Sequence, residues 1–255
     1  MLILLSPSKT IDTTTKISYK NFTIPHFITD SSNIISVVKQ LNVNELSTLM
    51  KISPKLSQLN FDRFQYWNSE HKLTNSKQAL LSFKGEVFTG IDSDSFSEDD
   101  LKYSQNHLII LSGMYGIIRP LDLIQPYRLE ISTKLAISDS KNLYAFWQDK
   151  ITSEIQQILT THNNPTIINL ASNEYFKVID AKKIDANIIT PVFKEYKNGS
   201  YKIVTIYAKK ARGLMTSYIL KNKIEKIDDL KFFDKEGYYY NDLMSNNSQL
   251  VFTRG

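Results

Sequence analysis

The stretch LIILSGMYGIIRPLDLIQPYRLE, residues 108–130, starts as an apolar run and continues as a series of polar groups between chain breakers. Its first four residues are all apolar, which is typical of a strand buried on both faces. Glycines and prolines then interrupt the run, and Tyr and Arg side chains stand between them. A solvent-exposed loop rarely contains so many Tyr and Arg residues, so the stretch predicts a buried strand that leads into a functional surface.

Two other buried strands are expected to end in the same way. Leu2–Leu5 is followed by SPSKT, and Thr166–Leu170 ends in the polar segment NLASNEY. Ligands gather where the strands of a helix-covered sheet end. If the three strands are neighbours, the polar side chains around their ends meet in one site. This set comprises Lys9, Ser112, Tyr115, Arg119, Asn169, Ser172, Glu174 and Tyr175.

The end of the opening stretch has two interpretations. Arg128 can form a bidentate contact with a phosphate or carboxylate while Glu130 orients the guanidinium. Alternatively, Arg128 and Glu130 form a structural ion pair and the tyrosines pack at the edge of the core. One such segment favours the structural interpretation, but three similar strand ends favour a site. In that site, Arg119 and Arg128 face an anion, and Tyr115 and Tyr127 offer their ring faces.

Apolar spacing and capping residues predict helices between the strands. Ser97 is expected to cap a helix with acidic residues in its first turn. Asn142–Leu159 is predicted as a longer amphipathic helix. Ser31 or Ser32 is expected to cap another helix, which ends near Leu41.

The remaining segments predict strands and turns. Asn198 and Gly199 form a strong turn signal, which predicts a β-hairpin within Asn187–Tyr207. Leu250–Phe252 predicts a last strand, and no repeat, low-complexity tract or linker divides the sequence. The pattern therefore predicts one α+β domain over residues 1–255, with a mixed β-sheet and surrounding helices.

Residues 44–67 predict two short helices joined by a tight turn. Asn44 is suited to cap the first helix, and Ser53 followed by Pro54 is suited to start the second. The apolar side chains of the second helix that are expected to face the core are Leu56, Leu59 and Phe64.

A helical pair of this kind can bind DNA without reading its bases, through backbone amides and Lys or Arg side chains that contact phosphates. An ordinary helical hairpin with solvated lysines explains the same pattern, and this stretch alone favours that interpretation. The candidate DNA contacts are Lys51, Lys55 and Arg63.

The segment YAKKARG, residues 207–213, supplies further cations at the expected start of a helix. A helix N-terminus offers free amides and a favourable dipole to an anion, and Gly213 allows close approach. A solvated basic face is an equally good interpretation. Lys84 in FKGEVFTG is a weaker candidate, because that segment matches no standard phosphate loop. The cations of the basic segment are Lys209, Lys210 and Arg212.

The composition limits the classes of function. The net charge of +5 and the pI of about 9.0 favour anionic partners. The absence of cysteine excludes disulfides, thiolate metal sites and thiol peroxidase chemistry, and it fits a reducing cytosol. The four histidines show no close ligand spacing, and GxGxxG and Walker motifs do not occur, so we expect no metal and no cofactor. No apolar run approaches the roughly 18 residues that span a membrane, so we expect a soluble cytoplasmic protein.

Seven motifs follow one another along the whole sequence: SPSKT, FKGEVFTG, FSEDD, LSGMYGIIRPLDLIQPYRLEI, NLASNEYF, YAKKARGLM and LVF. In this order they resemble the YaaA family of bacterial peroxide stress proteins. The resemblance implies a cytoplasmic protein that limits damage during peroxide stress by keeping unincorporated iron low. It also implies a fold peculiar to the family, with a basic cleft and a helix–hairpin–helix element for DNA. We place that element at Asn44–Trp67, although its turn lacks the glycines usual in such hairpins.

Three functions compete at this point. The first is a stress protein that binds DNA weakly and largely independently of sequence. The second is an enzyme that acts on a nucleobase, a nucleotide or a small anionic metabolite in the same cleft. The third, direct iron binding, ranks last, because iron sites usually combine His or Cys with carboxylates. The residues that could transfer a proton in an enzyme are Lys9, Lys84, Tyr115, Glu174 and Lys209.

Overall fold

The computed structural model describes residues 1–15 and 19–255. Its strands are β1 (Leu2–Leu5), β2 (Thr10–Ile11), β3 (Lys77–Gln78), β4 (Phe83–Lys84), β5 (Leu108–Ser112), β6 (Gly116–Ile118), β7 (Leu123–Ile124), β8 (Thr166–Asn169), β9 (Asn187–Lys197), β10 (Ser200–Lys202), β11 (Tyr239–Tyr240) and β12 (Gln249–Arg254). Its α-helices are α1 (Ile28–Val38), α2 (Val43–Met50), α3 (Pro54–Tyr66), α4 (Ala79–Ser82), α5 (Glu86–Ile91), α6 (Glu98–His107), α7 (Leu143–Leu159), α8 (Asn173–Phe176), α9 (Thr205–Lys221) and α10 (Ile227–Leu230).

The main sheet has the strand order β11-β12-β9-β8-β1-β5-β6, with β10 paired to β9. β1 lies between β8 and β5 and is parallel to both, so that Ile3 pairs with Ile168 on one side and Leu108 on the other. β9 and β12 extend the parallel part, whereas β6, β10 and β11 run antiparallel to their neighbours. The sheet is therefore mixed, as predicted, and the carboxyl ends of β1, β5 and β8 share one edge.

The centre of this sheet forms the core of the protein. Every residue of β1, β5 and β8 is buried, which suits continuous apolar runs in parallel strands. Helix α6 contacts β1, α7 contacts β6, and α9 contacts β9. The apolar runs identified in the sequence thus form the inner strands of the sheet.

Helices α5 and α9 cross at a pair of glycines. A Cβ atom on Gly213 of α9 would lie 1.9 Å from the carbonyl oxygen of Val87 in α5. A Cβ atom on Gly90 of α5 would lie 2.2 Å from the carbonyl oxygen of Lys210 in α9. Only glycine leaves room for two backbones at this separation. The close approach expected at Gly213 is therefore a contact between two helices.

Several predicted local features are confirmed. The helix predicted over Asn142–Leu159 is α7, and the Asn142 side chain caps it by accepting a hydrogen bond from the amide of Ala145 at 2.9 Å. Ser53 caps α3 and Pro54 occupies its first turn. Ser97 forms a capping box at the start of α6. The turn between β9 and β10 has left-handed backbone at both Asn198 and Gly199, as a tight hairpin requires.

Three local predictions are wrong. Helix α1 begins at Ile28, so Ser31 lies inside it, where its hydroxyl donates to the carbonyl of Phe27 instead of capping. Asn42 caps α2 in place of Asn44, because Glu45 completes a capping box with Asn42. Leu59 faces solvent, with 44% of its surface exposed, and so does Leu56. Phe64 is buried as expected.

Within residues 1–15 and 19–255, no helix has the length and apolar character needed to cross a bilayer.

Candidate functional site

A cleft of about 340 Å³ opens beside the shared carboxyl edge of β1 and β8. We call it the strand-end cleft. Ser6 follows β1 and Ser172 follows β8, and the amide of Ser172 donates to the Ser6 hydroxyl at 2.8 Å. This contact ties the two strand ends together at the cleft wall. The polar residues that line the cleft include Ser6, Lys9, Glu86, Glu130, Ser172, Glu174, Tyr175, Lys209 and Arg212.

The Glu130 carboxylate contacts three side chains on one side of the cleft. Its Oε2 accepts a hydrogen bond from the hydroxyl of Tyr175 at 3.1 Å. Its Oε1 lies 3.9 Å from the Lys9 ammonium and 3.8 Å from Nε of Arg128. Burial, followed by the Glu130 charge, raises the pKa of Tyr175 well above its usual value. Tyr175 is therefore a protonated donor at neutral pH, and the expected Arg128–Glu130 pair is present.

Lys209 and Arg212 form the other side of the cleft on α9. Among the described residues, neither side chain has a carboxylate oxygen within 4.0 Å. Burial lowers the pKa of the Arg212 guanidinium, because the side chain has lost part of its contact with water. A partly buried guanidinium without a carboxylate partner favours an incoming anion.

The cleft is not uniformly basic. Its three cations stand against three carboxylates, which are Glu86, Glu130 and Glu174. Glu130 is occupied by the contacts above, and Oε1 of Glu174 accepts a hydrogen bond from Ser132 at 2.6 Å. An anion is therefore better accommodated at the Arg212 side of the cleft than at the Glu130 side.

Tyr115, Ser112 and Tyr127 do not line the cleft, contrary to expectation. Tyr115 is fully buried, and Tyr127 is only 4% exposed, so neither offers a ring face to a ligand. The Ser112 hydroxyl and the Tyr127 hydroxyl share a hydrogen bond of 2.7 Å beneath the surface. The segment after β5 folds tightly over the strand end, with Gly113 against the backbone of Leu129, and this covers the tyrosines.

Arg119 lies away from the strand-end cleft. It follows β6, which runs antiparallel to β5, so the chain has returned to the opposite edge of the sheet. There the Arg119 guanidinium lies 3.8 Å from a carboxylate oxygen of Glu154. The predicted meeting of Arg119 with the other strand-end residues is therefore wrong.

Three further candidates, Asn169, Lys84 and Lys210, do not line the strand-end cleft. Asn169 is buried below the cleft, where its side chain accepts from the amide of Ala171 at 3.1 Å. Lys84 lies in β4 opposite Thr10 and does not line the cleft. Lys210 points away and forms an ion pair with Glu236.

The start of the basic helix also differs from expectation. Helix α9 begins at Thr205, so Lys209 lies more than one turn inside it. The free amides of the first turn are therefore not beside Lys209 or Arg212. These cations act as side-chain charges and not as part of a helix N-terminus.

The α2–α3 pair matches the two predicted helices and their tight turn. Lys51 ends α2 in the left-handed conformation, with φ of 52°, where glycine or asparagine is more usual. Lys51 and Lys55 are exposed, and Arg63 is partly buried. Neither helix lines the strand-end cleft, so the two candidate regions are separate.

Sequence reasoning missed some residues of the cleft. Ser6 and Glu86 stand in two of the seven motifs, but nothing distinguished them from their neighbours. Ser132 had no signal, because its role is a contact with Glu174, which lies far from it in the sequence.

The fold and the cleft define a mixed α/β protein with a charged cleft at the ends of parallel strands. The family described as "Peroxide stress protein YaaA" matches residues 1–244. A UPF0246 protein of Saccharophagus degradans is 49% identical over 254 residues, covering 100% of this chain and 99% of that protein. UPF0246 proteins from two strains of Aliivibrio fischeri are each 47% identical over 254 residues, covering 100% of this chain and 98% of each relative. The chain belongs to the peroxide stress protein YaaA family.

Proposed function

We propose that this protein acts in the cytoplasm during peroxide stress by binding DNA weakly and largely independently of sequence. The observation that carries the proposal is Arg212, a partly buried guanidinium at the cleft wall without a carboxylate partner among the described residues. Lys209 lies beside it, and phosphate oxygens satisfy such a pair well. The net charge of +5 supports attraction to an anionic polymer.

The α2–α3 pair supplies a second set of cations for the same duplex. Lys51 and Lys55 flank the turn and are exposed, so both can reach phosphates without reorganising the fold. We propose that this pair is the helix–hairpin–helix element of the protein. Binding would shield DNA where iron-driven oxidation occurs. From the family resemblance we also propose that the protein keeps unincorporated iron low in stressed cells, which a measurement of chelatable iron in a deletion strain would test.

Charge reversal separates the two DNA-contacting regions. We expect Lys51→Glu with Lys55→Glu to weaken duplex binding and to lower the magnitude of the salt slope by about 2, because each lost phosphate contact removes about 0.9. Lys209→Glu with Arg212→Glu should weaken binding more than the Lys51 and Lys55 changes do, since no carboxylate of residues 1–15 and 19–255 competes for Arg212. Titration of a labelled duplex at several salt concentrations measures both effects.

The matched control is Lys197→Glu with Lys202→Glu, which makes the same charge change at exposed positions on the β9–β10 hairpin. It should change affinity little. Equal losses in all three double variants would mean that only net charge matters. Unchanged DNA affinity in both the Lys51/Lys55 and the Lys209/Arg212 double variants would contradict the proposal.

A second candidate is an enzyme that acts on a nucleobase, a nucleotide or a small anion in the strand-end cleft. The observation that favours it is Glu130, which accepts a hydrogen bond from Tyr175 and lies 3.9 Å from the Lys9 ammonium, so that a cation, a carboxylate and a phenol stand at one wall. Enzymes need such groups to move protons during a reaction. Glu174 lines the same cleft and is exposed.

Glu174→Gln distinguishes the enzyme from the DNA-binding protein. The glutamine keeps the acceptor for Ser132 but cannot serve as an acid or base, and it removes a negative charge. We expect DNA affinity to be unchanged or slightly raised and peroxide protection in cells to be complete, with Arg212→Glu as the variant that loses both. Lost protection by a folded Glu174→Gln protein with normal DNA affinity would favour the enzyme.

A further inference from the structure

A second pocket, of about 220 Å³, lies where α7 meets the end of α6 and the start of β5. We call it the α7 pocket. Within the part of the chain that the structure describes, it shares no lining residue with the strand-end cleft. The spacing of Glu154, Gln157 and Ile158 places them on one stripe of α7, which forms a wall of the pocket. The residues that line the pocket are Gln105, Asn106, Ile109, Arg119, Glu154, Gln157, Ile158 and Thr161.

Glu154 places a buried carboxylate in the wall of the α7 pocket. Its side chain is only 9% exposed. Among residues 1–15 and 19–255, the contacts of its oxygens with cationic groups are 3.4 Å to Nε2 of His26 and 3.8 Å to a guanidinium nitrogen of Arg119. Charge-assisted hydrogen bonds to a carboxylate are shorter, at about 2.7–2.9 Å. A carboxylate that has lost most of its water without gaining a short donor contact favours an incoming ammonium group.

The Arg119 guanidinium supplies the opposite charge at the same pocket. It is 37% exposed, and in the described residues its contact with a carboxylate is the one with Glu154 at 3.8 Å, which is too long for a bidentate pair. The guanidinium has five N–H donors, so it retains donors for the carboxylate of a ligand. The α7 pocket therefore presents a cation and an anion 3.8 Å apart, neither of which is satisfied by the other.

This pair of charges selects a class of ligand. Glu154 and Arg119 together carry no net charge, so a ligand with one ammonium and one carboxylate leaves every charge paired. An α-amino acid carries both groups on one carbon, which lets them reach two charges that lie this close together. The volume is below the roughly 300–1,000 Å³ of pockets for drug-sized ligands, so it suits a molecule of this size.

The remaining lining favours an aliphatic side chain over a nucleobase. Ile109 is buried and Ile158 is partly buried, and both line the pocket, so they offer apolar surface to the ligand. Nucleobase sites usually stack the base on aromatic rings, and no aromatic ring from residues 1–15 and 19–255 lines this pocket. The amides of Asn106 and Gln157 are exposed and add polar contacts around the ligand.

We propose that the α7 pocket binds a free α-amino acid with an aliphatic side chain. The ammonium of the amino acid donates to Glu154, and its carboxylate accepts from Arg119. The side chain lies against Ile109 and Ile158. This binding goes beyond the proposed function and does not depend on it, because the pocket is separate from both of the proposed DNA-contacting regions.

Titration of L-leucine, L-isoleucine and L-valine into the ¹⁵N-labelled full-length protein tests the proposal. At least one of them should cause saturable shifts of the amide signals of Asn106, Gln157 and Ile158, and not of Ser172 or Arg212 in the strand-end cleft. The N-acetyl derivative of that amino acid lacks the ammonium, and its amide lacks the carboxylate. Each analogue should bind about tenfold more weakly or worse, because each loses a charge-assisted contact.

A pair of variants assigns the ammonium contact to Glu154. Glu154→Gln removes the charge with little change in shape and should weaken binding of the amino acid about tenfold or more. Asp149→Asn makes the same change at an exposed position of α7 outside the pocket and should leave the affinity unchanged. Circular dichroism checks that both variants are folded.

The two analogues need no variant, so the proposal can fail even if Glu154→Gln unfolds. Absence of saturable shifts around the α7 pocket with all three amino acids would overturn the proposal. Equal affinity for the amino acid and both analogues would overturn the role of the paired charges. Shifts confined to the strand-end cleft, or binding of guanosine at the α7 pocket in place of the amino acids, would also overturn it.

Discussion

Gly213→Ala is expected to lower the free energy of unfolding by about 3 kcal/mol or more. The new Cβ would lie 1.9 Å from the carbonyl oxygen of Val87 and 2.9 Å from the amide nitrogen of Ile91, and both are backbone atoms of α5. Neither can rotate away, so the two helices must separate. Helix propensity alone gives the opposite sign, because alanine is favoured over glycine inside a helix by about 1 kcal/mol. Urea denaturation measures the difference.

Gly199→Ala is the control for this prediction. A Cβ atom on Gly199 would have no neighbour within 4 Å, but the φ of this residue is +78°, so the substitution carries only backbone strain, of about 1 kcal/mol. The α5–α9 crossing also holds Arg212 and Glu86 at the cleft, so the DNA binding that we propose should weaken in Gly213→Ala and not in Gly199→Ala. A Gly213→Ala protein as stable as the wild type would contradict this close packing of α5 and α9.

Acid is expected to destabilise the protein through the buried His71 and the partly buried His162. Burial lowers the pKa of His71 to about 4 from the value of 6.5 for an accessible histidine, and burial with the nearby terminal amine lowers that of His162 to about 4 as well. The unfolded chain therefore binds more protons between these values. The stability is fully present above pH 6.5 and is lost as the pH falls toward 4, by roughly 3 kcal/mol for His71 and by less for His162, whose imidazole is partly exposed and screened by solvent.

Urea denaturation at pH 7 and at pH 4.5 in wild type and His71→Gln tests this. Glutamine can still accept from Tyr115 but does not titrate, so the variant should lose less stability on acidification than the wild type. The buried Asp122 opposes the trend, because burial raises the pKa of its carboxyl, so the comparison between variants is decisive. Equal pH dependence in His71→Gln and wild type would contradict the prediction.

The sequence was sufficient for the central strands β1, β5 and β8, for the β9–β10 hairpin and for the last strand, and for part of the cleft. Apolar runs identified β1, β5 and β8, and polar residues after β1 and β8 placed Ser172 at the cleft. Arg119 was expected at the cleft, but β6 runs antiparallel to β5 and carries Arg119 to the opposite ends of these strands. The tight turn between β5 and β6 permits only an antiparallel return, since a parallel strand needs a long crossover.

The burial of Tyr115 and Tyr127 could not be predicted from the sequence. Tyr115 and Tyr127 stand in a segment rich in polar residues and chain breakers, and tyrosine occurs both inside proteins and at binding surfaces. Their partners, Trp67 and His71, lie far away in the sequence. Only the tertiary arrangement shows that these hydroxyls are engaged within the core. Likewise, Asn44 was expected to cap α2, whereas the capping box with Glu45 places the cap at Asn42.

The position of β1 at the middle of the sheet has a consequence for how the protein is made. β1 is the first strand in the sequence, yet Ile3 pairs with Leu108 on one side and with Ile168 on the other. On the ribosome, β1 therefore remains without its full set of neighbours until more than half of the chain has been synthesised. To pair strands this far apart in the sequence, the chain must lose the conformational entropy of closing long loops before the contacts stabilise it. This cost makes folding slow. During that interval the apolar residues of β1 are available to chaperones and to aggregation.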